Sequence, residues 1–178
     1  MSKPNHASGK SSTAVDCQPK LTNFREHPDL VILVAASYRA VVERLTEDMR
    51  VAGIAGVRPA YGFVIRAVAA EQPTVNRLAE LLDISKQAAS KLAQQMVRAG
   101  FLAQAPDETD RRQIRLRLGA KGRRVREQAL ATSAAVEREL RRAAGSTSVD
   151  GLRRALLELL GRQGGLEDVL ARRARPVW

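Results

Sequence analysis

Between Thr74 and Gly122 the apolar residues recur first at three- and four-residue spacing and then at two-residue spacing, the pattern of two short helices followed by a small hairpin. Val75, Leu78, Ala79 and Leu82 follow Thr74, a hydroxyl residue suited to capping a helix of about nine residues. Asp83 and Ile84 interrupt the pattern. Ser85 offers a second cap, and Ala89, Leu92, Ala93 and Met96 mark the inward stripe of a second helix, which Gly100 ends. Small Ala79 permits close approach of the two helices and Ile84 turns inward between them, so a helix-turn-helix is predicted.

The outward face of the second helix carries Ser85, Lys86, Gln87, Ala88, Ser90, Lys91 and Gln95, among them side chains of the kind that read base edges and hold phosphates. An ordinary solvated face has a similar composition, so the helices alone leave both readings open. The next segment favours the first. Phe101 to Ala105 reads as a strand, Pro106 to Asp110 as a turn, and Arg112 to Leu118 as a second strand. Ile114, Leu116 and Leu118 take one face of that strand; Gln113, Arg115 and Arg117 take the other. A lone hairpin needs a backing surface, and the helices provide it, which makes a wing. Residues 107–126 hold eight basic side chains against three acidic ones, a net of +5 out of +11 for the chain. On a hairpin beside a polar helix face, such a cluster is expected to clamp phosphates and the minor groove.

With 178 residues the chain suits one DNA-binding lobe plus an association lobe, and aromatic residues at only 3% favour helix-on-helix packing over a β-sandwich. The predicted fold class is mostly α, a winged helix-turn-helix with long terminal helices forming a dimerisation lobe. A pI near 10.9 implies an acidic partner. Arginine outnumbers lysine, which suits bidentate phosphate contacts, although a GC-rich coding bias gives the same excess. There is no run of 18 apolar residues and no apolar segment of secretory type near Met1, so a cytoplasmic protein without a membrane partner is expected. One cysteine, Cys17, sets no disulfide framework.

Residues 1–27 are expected to form a tail too polar to offset its ordering entropy. Residues 28–58 give a long first helix and a loop: Leu30, Val31, Val34, Tyr38, Val41, Leu45 and Met49 keep helical spacing, with Asp29 near the positive end of the helix dipole. Pro59 opens a short helix through Ala70, and residues 59–119 make the DNA-binding lobe. Residues 120–178 hold a helix to about Ala144, a break at Gly145 to Ser148, a second helix marked by Val149, Leu152, Leu156, Leu159 and Leu160, and a short terminal helix with a basic end. Apolar stripes this far from the wing need covering. A symmetric homodimer built from the first and the last two helices covers them, as would an intrachain bundle.

Over about Pro28 to Gly161 these residues resemble the MarR (multiple antibiotic resistance regulator) family of bacterial transcription factors. The resemblance is carried by Leu78-Ala79-Glu80-Leu81-Leu82, Ser85 to Leu92, Gly100-Phe101-Leu102, the wing Asp107-Glu108-Thr109-Asp110-Arg111-Arg112, and Leu118 with Lys121-Gly122. It implies a triangular dimer on double-stranded DNA at a pseudo-palindromic operator, with the recognition helix in the major groove and a wing arginine in the minor groove. The recognition positions are then Ser85, Lys86, Gln87, Ser90 and Lys91, and the wing positions Asp110, Arg111 and Arg112, with Asp110 orienting Arg112. Thr109 stands where an arginine is frequent, shifting contact toward Arg111. Gly119 stands where a threonine usually caps the next helix, at a cost of a few tenths of a kcal/mol.

The resemblance further implies a repressor relieved by a small aromatic or phenolic effector, with Tyr38, Tyr61, Phe63 and Arg66 as candidate lining; packing is the commoner role of such residues. Peroxide-sensing relatives carry a cysteine near the start of the first helix, where this chain has Val31. Cys17 lies earlier, in the expected tail, which disfavours oxidant sensing. An enzyme is disfavoured: His6 and His27 both precede the first helix, and no metal-spaced His/Cys set or glycine-rich phosphate loop is present, so neither metal nor cofactor is expected. The stronger rival is a basic architectural or RNA-binding protein without operator specificity.

Overall fold

The computed structural model describes residues 28–108, 110–163 and 165. The expected tail with His6, Cys17 and His27, wing residue Thr109, and the terminal segment from Leu166 to Trp178 lie outside the described residues. The elements in chain order are α1 (Leu30–Val51), α2 (Pro59–Glu71), α3 (Val75–Leu82), α4 (Lys86–Arg98), β1 (Leu102–Pro106), β2 (Ile114–Leu118), α5 (Ala120–Ala144) and α6 (Ser146–Arg162). Contacts divide the chain into two units, Met1–Tyr38 and Arg39–Trp178.

In the first unit the described part is the beginning of α1. Asp29 caps it, its carboxylate accepting from the Val31 N–H at 2.7 Å, a stronger role than a dipole partner alone. Leu30, Val31, Ile32, Leu33, Val34 and Tyr38 are all exposed.

The second unit is organised around Phe101, Leu78, Met96, Leu116, Val64 and Val68, each less than 2% exposed. Burying each of these contributes on the order of 1.5–3 kcal/mol. The helix-turn-helix forms because its ends are satisfied locally. Thr74 accepts from the Arg77 N–H and Ser85 from the Ala88 N–H, both at 3.2 Å. Asp83, at φ +54°, closes α3: the Ile84 N–H donates to the Ala79 carbonyl and the Asp83 N–H to the Glu80 carbonyl. Gly100, at φ +76°, closes α4 the same way, sending Phe101 into the core.

The two strands pair antiparallel, with Leu102 opposite Leu118 and Pro106 opposite Ile114. Both lie slightly inside or beyond their expected limits: β1 extends one residue to Pro106, and β2 begins at Ile114 because Arg112 and Gln113 belong to the turn. The alternation holds only in part. Leu116 is fully buried and Leu118 half-buried, but Ile114 is 45% exposed, since the inner face outruns the core toward the wing tip.

Two glycines seat α5. A Cβ at Gly119 would lie 2.4 Å from the Gly100 carbonyl oxygen, and one at Gly122 would lie 2.0 Å from that of Phe101. Gly119 is therefore fixed by backbone contact, and the threonine that would cap better has no room there. Lys121 lies 4.5 Å over the Phe101 ring, which meets Tyr61 edge-on at 5.1 Å.

Further along α5, buried Thr132 donates to Asp48 of α1 at 2.6 Å, and Arg44 donates to the same carboxylate at 3.1 Å. The Thr132 hydroxyl, then Arg44, hold the Asp48 carboxyl below its ordinary value against the opposing effect of burial. Gly145 ends α5, and α6 starts at once with Ser146 instead of after a longer break. Glu137 of α5 accepts from Arg141 and Arg153, and Asp150 of α6 accepts from Arg141, tying the two helices.

Candidate nucleic-acid interface

The α4 stripe of Ala89, Ala93 and Met96 is buried, and this fixes which side chains face solvent. Ser85, Lys86, Gln87, Ala88, Lys91 and Gln94 are exposed; Ser90 and Gln95 are half-buried. The Ser85 oxygen caps α4 by accepting from the Ala88 N–H, and a hydroxyl that accepts in this way can also donate. No acidic residue occurs on α4, and Lys86, Lys91 and Arg98 form no ion pair among the described residues. The helix thus offers amides, hydroxyls and uncompensated cations on one surface.

The wing sorts its arginines into two kinds. Arg115 pairs with the buried Asp107 carboxylate, and Arg117 pairs with Glu108 at 2.8 Å. Arg111 and Arg112 are exposed and form no ion pair among the described residues. Asp110 does not bond the Arg112 guanidinium as expected. Its carboxylate accepts from the Arg112 backbone N–H at 3.1 Å and from the Gln113 side-chain amide at 3.2 Å, so it shapes the turn through the backbone. Arg123 and Arg124 donate to the Leu118 and Ala52 carbonyls, bonds that hold the side chains but leave their charge intact.

The expected effector residues are placed differently from one another. Tyr61 is core, packed on Phe101; Phe63 is half-buried against that core; Arg66 and Tyr38 are exposed, on α2 and α1 respectively. Tyr61 at 5% exposure has no open face to line a cleft, because it is buried in the core with its ring packed edge-on against Phe101, the residue before β1.

Residues not singled out from the sequence also belong to this surface. Gln94, Val97, Arg98 and Gln104 line a shallow depression where α4 meets β1, and Thr74, Val75, Asn76, Gln113 and Ile114 line a groove between α3 and the wing. Gln94 and Arg98 continue the helical spacing of Gln87 and Lys91, a signal the sequence does contain.

A steeply capped helix pair, an exposed basic second helix and an arginine-tipped hairpin define a winged helix-turn-helix. The MarR family model matches residues 55–113, from the loop before α2 to the last turn residue of the wing, and over this lobe the chain is similar to that family. No protein of curated function matches the sequence. Among solved structures, FabT of Streptococcus pneumoniae, crystallised with DNA, is 16% identical, with 76% of this chain and 95% of FabT covered at a TM-score of 0.62. A MarR family protein from Bacillus stearothermophilus is 19% identical, covering 76% and 93%, at 0.61. Apo MarR from E. coli is 19% identical, covering 76% and 99%, at 0.53. At these identities the structures speak for the fold. No described helix is long and apolar enough to cross a membrane.

Proposed function

We propose that the chain is a sequence-specific, double-stranded-DNA-binding transcriptional regulator that acts as a homodimer on a pseudo-palindromic operator. The observation that carries the reading is the sorting of cations: the wing keeps Arg115 and Arg117 for its own acids, and Arg111 and Arg112 form no ion pair among the described residues, on the hairpin whose first strand packs against α4. In this reading Gln87, Ser90 and Lys91 reach base edges, Ser85 and Lys86 hold phosphates at the helix start, and the wing arginines enter the minor groove. The exposed apolar residues of α1, and separately Leu152, Leu156 and Leu159 of α6, support association with a second copy.

Repression relieved by a small aromatic ligand completes the reading by family resemblance. A ligand-bound form of this fold is known in the heme sensor PefR of Streptococcus agalactiae, solved in complex with heme, at 16% identity over 76% of this chain and 95% of PefR, TM-score 0.51.

The test contrasts two substitutions on a duplex selected from a random pool by the wild-type protein. Gln87→Ala should cost roughly 1–3 kcal/mol on the selected duplex and little on random DNA. Arg112→Ala should weaken both and, where that arginine lies against phosphates, reduce the salt slope by about 0.9. An architectural or RNA-binding protein would instead select no sequence, lacking the roughly thousand-fold preference that a specific regulator shows.

A further inference from the structure

Within the wing, Asp107 is an acidic side chain at 5% exposure in a hairpin otherwise rich in cations. Two of the partners of its carboxylate connect different parts of the lobe. One oxygen accepts from the Asp110 backbone N–H at 3.0 Å, inside the turn that presents Arg111 and Arg112. The other accepts from the Arg115 guanidinium, and that same guanidinium donates to the Gln72 carbonyl at 3.3 Å. Gln72 ends α2 in a left-handed conformation at φ +48°, and the next carbonyl, that of Pro73, accepts from the Leu116 N–H at 2.9 Å. A continuous path of hydrogen bonds thus runs from the end of α2 through Arg115 and Asp107 to the turn. A buried carboxylate is retained only with such partners, and hydrogen bonds to a charged group are shorter and roughly twice as strong as neutral ones.

Resting on the DNA-binding reading above, we infer that Asp107 and Arg115 are positioning residues, which touch no DNA but fix the wing turn against the end of α2 so that Arg112 meets the groove at one angle. Arg115, counted by charge alone as a DNA contact, acts inside the protein. The turn has other internal bonds that do not involve the Asp107 carboxylate, from the Asp107 N–H to the Gln113 carbonyl, from the Gln113 N–H to the Asp110 carbonyl, and from the Arg112 N–H and Gln113 side-chain amide to the Asp110 carboxylate, so it can keep its shape while losing its orientation. Loss of the carboxylate charge therefore removes aim without removing the hairpin.

The experiment is a double-mutant cycle in the full chain on the wild-type-selected duplex. Asp107→Asn keeps an acceptor for the Asp110 N–H and removes the charge that holds Arg115. We expect it to lose about as much affinity as Arg112→Ala, on the order of ten-fold, and the double variant to be no weaker than Arg112→Ala alone. Gln87→Ala should lose its full factor in either background, because α4 is seated independently of the wing turn. Arg115→Lys, which cannot bridge Asp107 and Gln72 with one planar group, should reproduce Asp107→Asn. Wild-type affinity in Asp107→Asn, or a full further loss on adding Arg112→Ala, overturns the inference while leaving the DNA-binding reading intact. Loss of cooperative unfolding in both Asp107→Asn and Arg115→Lys also overturns it, since their role is then structural. A wild-type protein that selects no sequence refutes the DNA-binding reading itself.

Discussion

Gly122→Ala is expected to be the most damaging single-methyl change in this chain, although it replaces a poor helix former with the best one inside a 25-residue helix. Propensity alone predicts a gain of about 1 kcal/mol. The added Cβ, however, would sit 2.0 Å from the Phe101 carbonyl oxygen and 3.1 Å from its carbon, atoms of a backbone fixed by the closing turn of α4. Relief requires α5 to withdraw by about 1 Å or more, the overpacking regime that costs about 1–3 kcal/mol. Withdrawal also strains the Gly119 N–H to Phe101 carbonyl bond at 2.9 Å and the Lys121 N–H to Gly100 carbonyl bond at 3.2 Å, each worth about 0.5–1.5 kcal/mol. The net is a loss of about 1–5 kcal/mol after the propensity gain, or roughly 2–20 °C in Tm for a chain of this size. Gly62→Ala is the matched control: Gly62 lies in α2, is exposed, and its Cβ would meet nothing within 4 Å, so a gain of about 0.5–1 kcal/mol is expected. Urea unfolding at one fixed protein concentration decides between them. A Gly122→Ala protein as stable as wild type would refute the claim that α5 is seated by backbone contact.

Two further outcomes follow from the same structure. Because the folded Asp48 carboxyl titrates below its ordinary value, the stability it contributes is complete above that ordinary value and is lost as pH falls through the lowered one. Thr132→Val removes the largest cause, so its destabilisation in urea should be greater at pH 7 than at pH 3; an equal effect at both would refute the linkage. In sedimentation the protein should report two chains per particle, and Leu152→Glu with Leu156→Glu should report one, whereas a soluble wild-type monomer at micromolar concentration would refute the role given to the exposed apolar residues.

The sequence carried the helix-turn-helix well because its signals are local. Thr74, Ser85 and Gly100 act through their own neighbours, and the burial of Leu78, Ala89, Ala93 and Met96 follows from spacing alone. What it could not carry depends on placement in three dimensions that spacing does not give. Gly119 reads as a weak cap until the Gly100 carbonyl is seen behind it. Tyr61 reads as an available aromatic until Phe101 is packed against it. Asp110 and Arg112 read as a side-chain pair by proximity, whereas a tight turn makes the backbone N–H the nearer donor. Arg115 and Arg117 read as part of a basic cluster because nothing in an alternating strand tells which arginine meets Asp107 and which meets Glu108.

That last distinction changes how the basic character of the chain should be understood. A net of +5 over residues 107–126 looks like a diffuse attractant for any polyanion, and diffuse charge favours non-specific binding. In the folded wing the three acids are not scattered: Asp107 and Glu108 each hold one arginine, and Asp110 holds backbone and amide groups beside Arg112. The acids remove charge from the flanks of the hairpin and shape the turn that carries Arg111 and Arg112, which leaves positive charge concentrated at one end. On α4 the same end is reached without acids at all, by spacing Lys86 and Lys91 around Gln87, Ala88 and Ser90. In the proposed reading, charge placed this way fixes register on the duplex and leaves discrimination to the short polar side chains between the cations. A purely architectural protein would gain affinity from Arg115 and Arg117 free of acidic partners; their pairing with Asp107 and Glu108 is the physical argument for the specific reading proposed above.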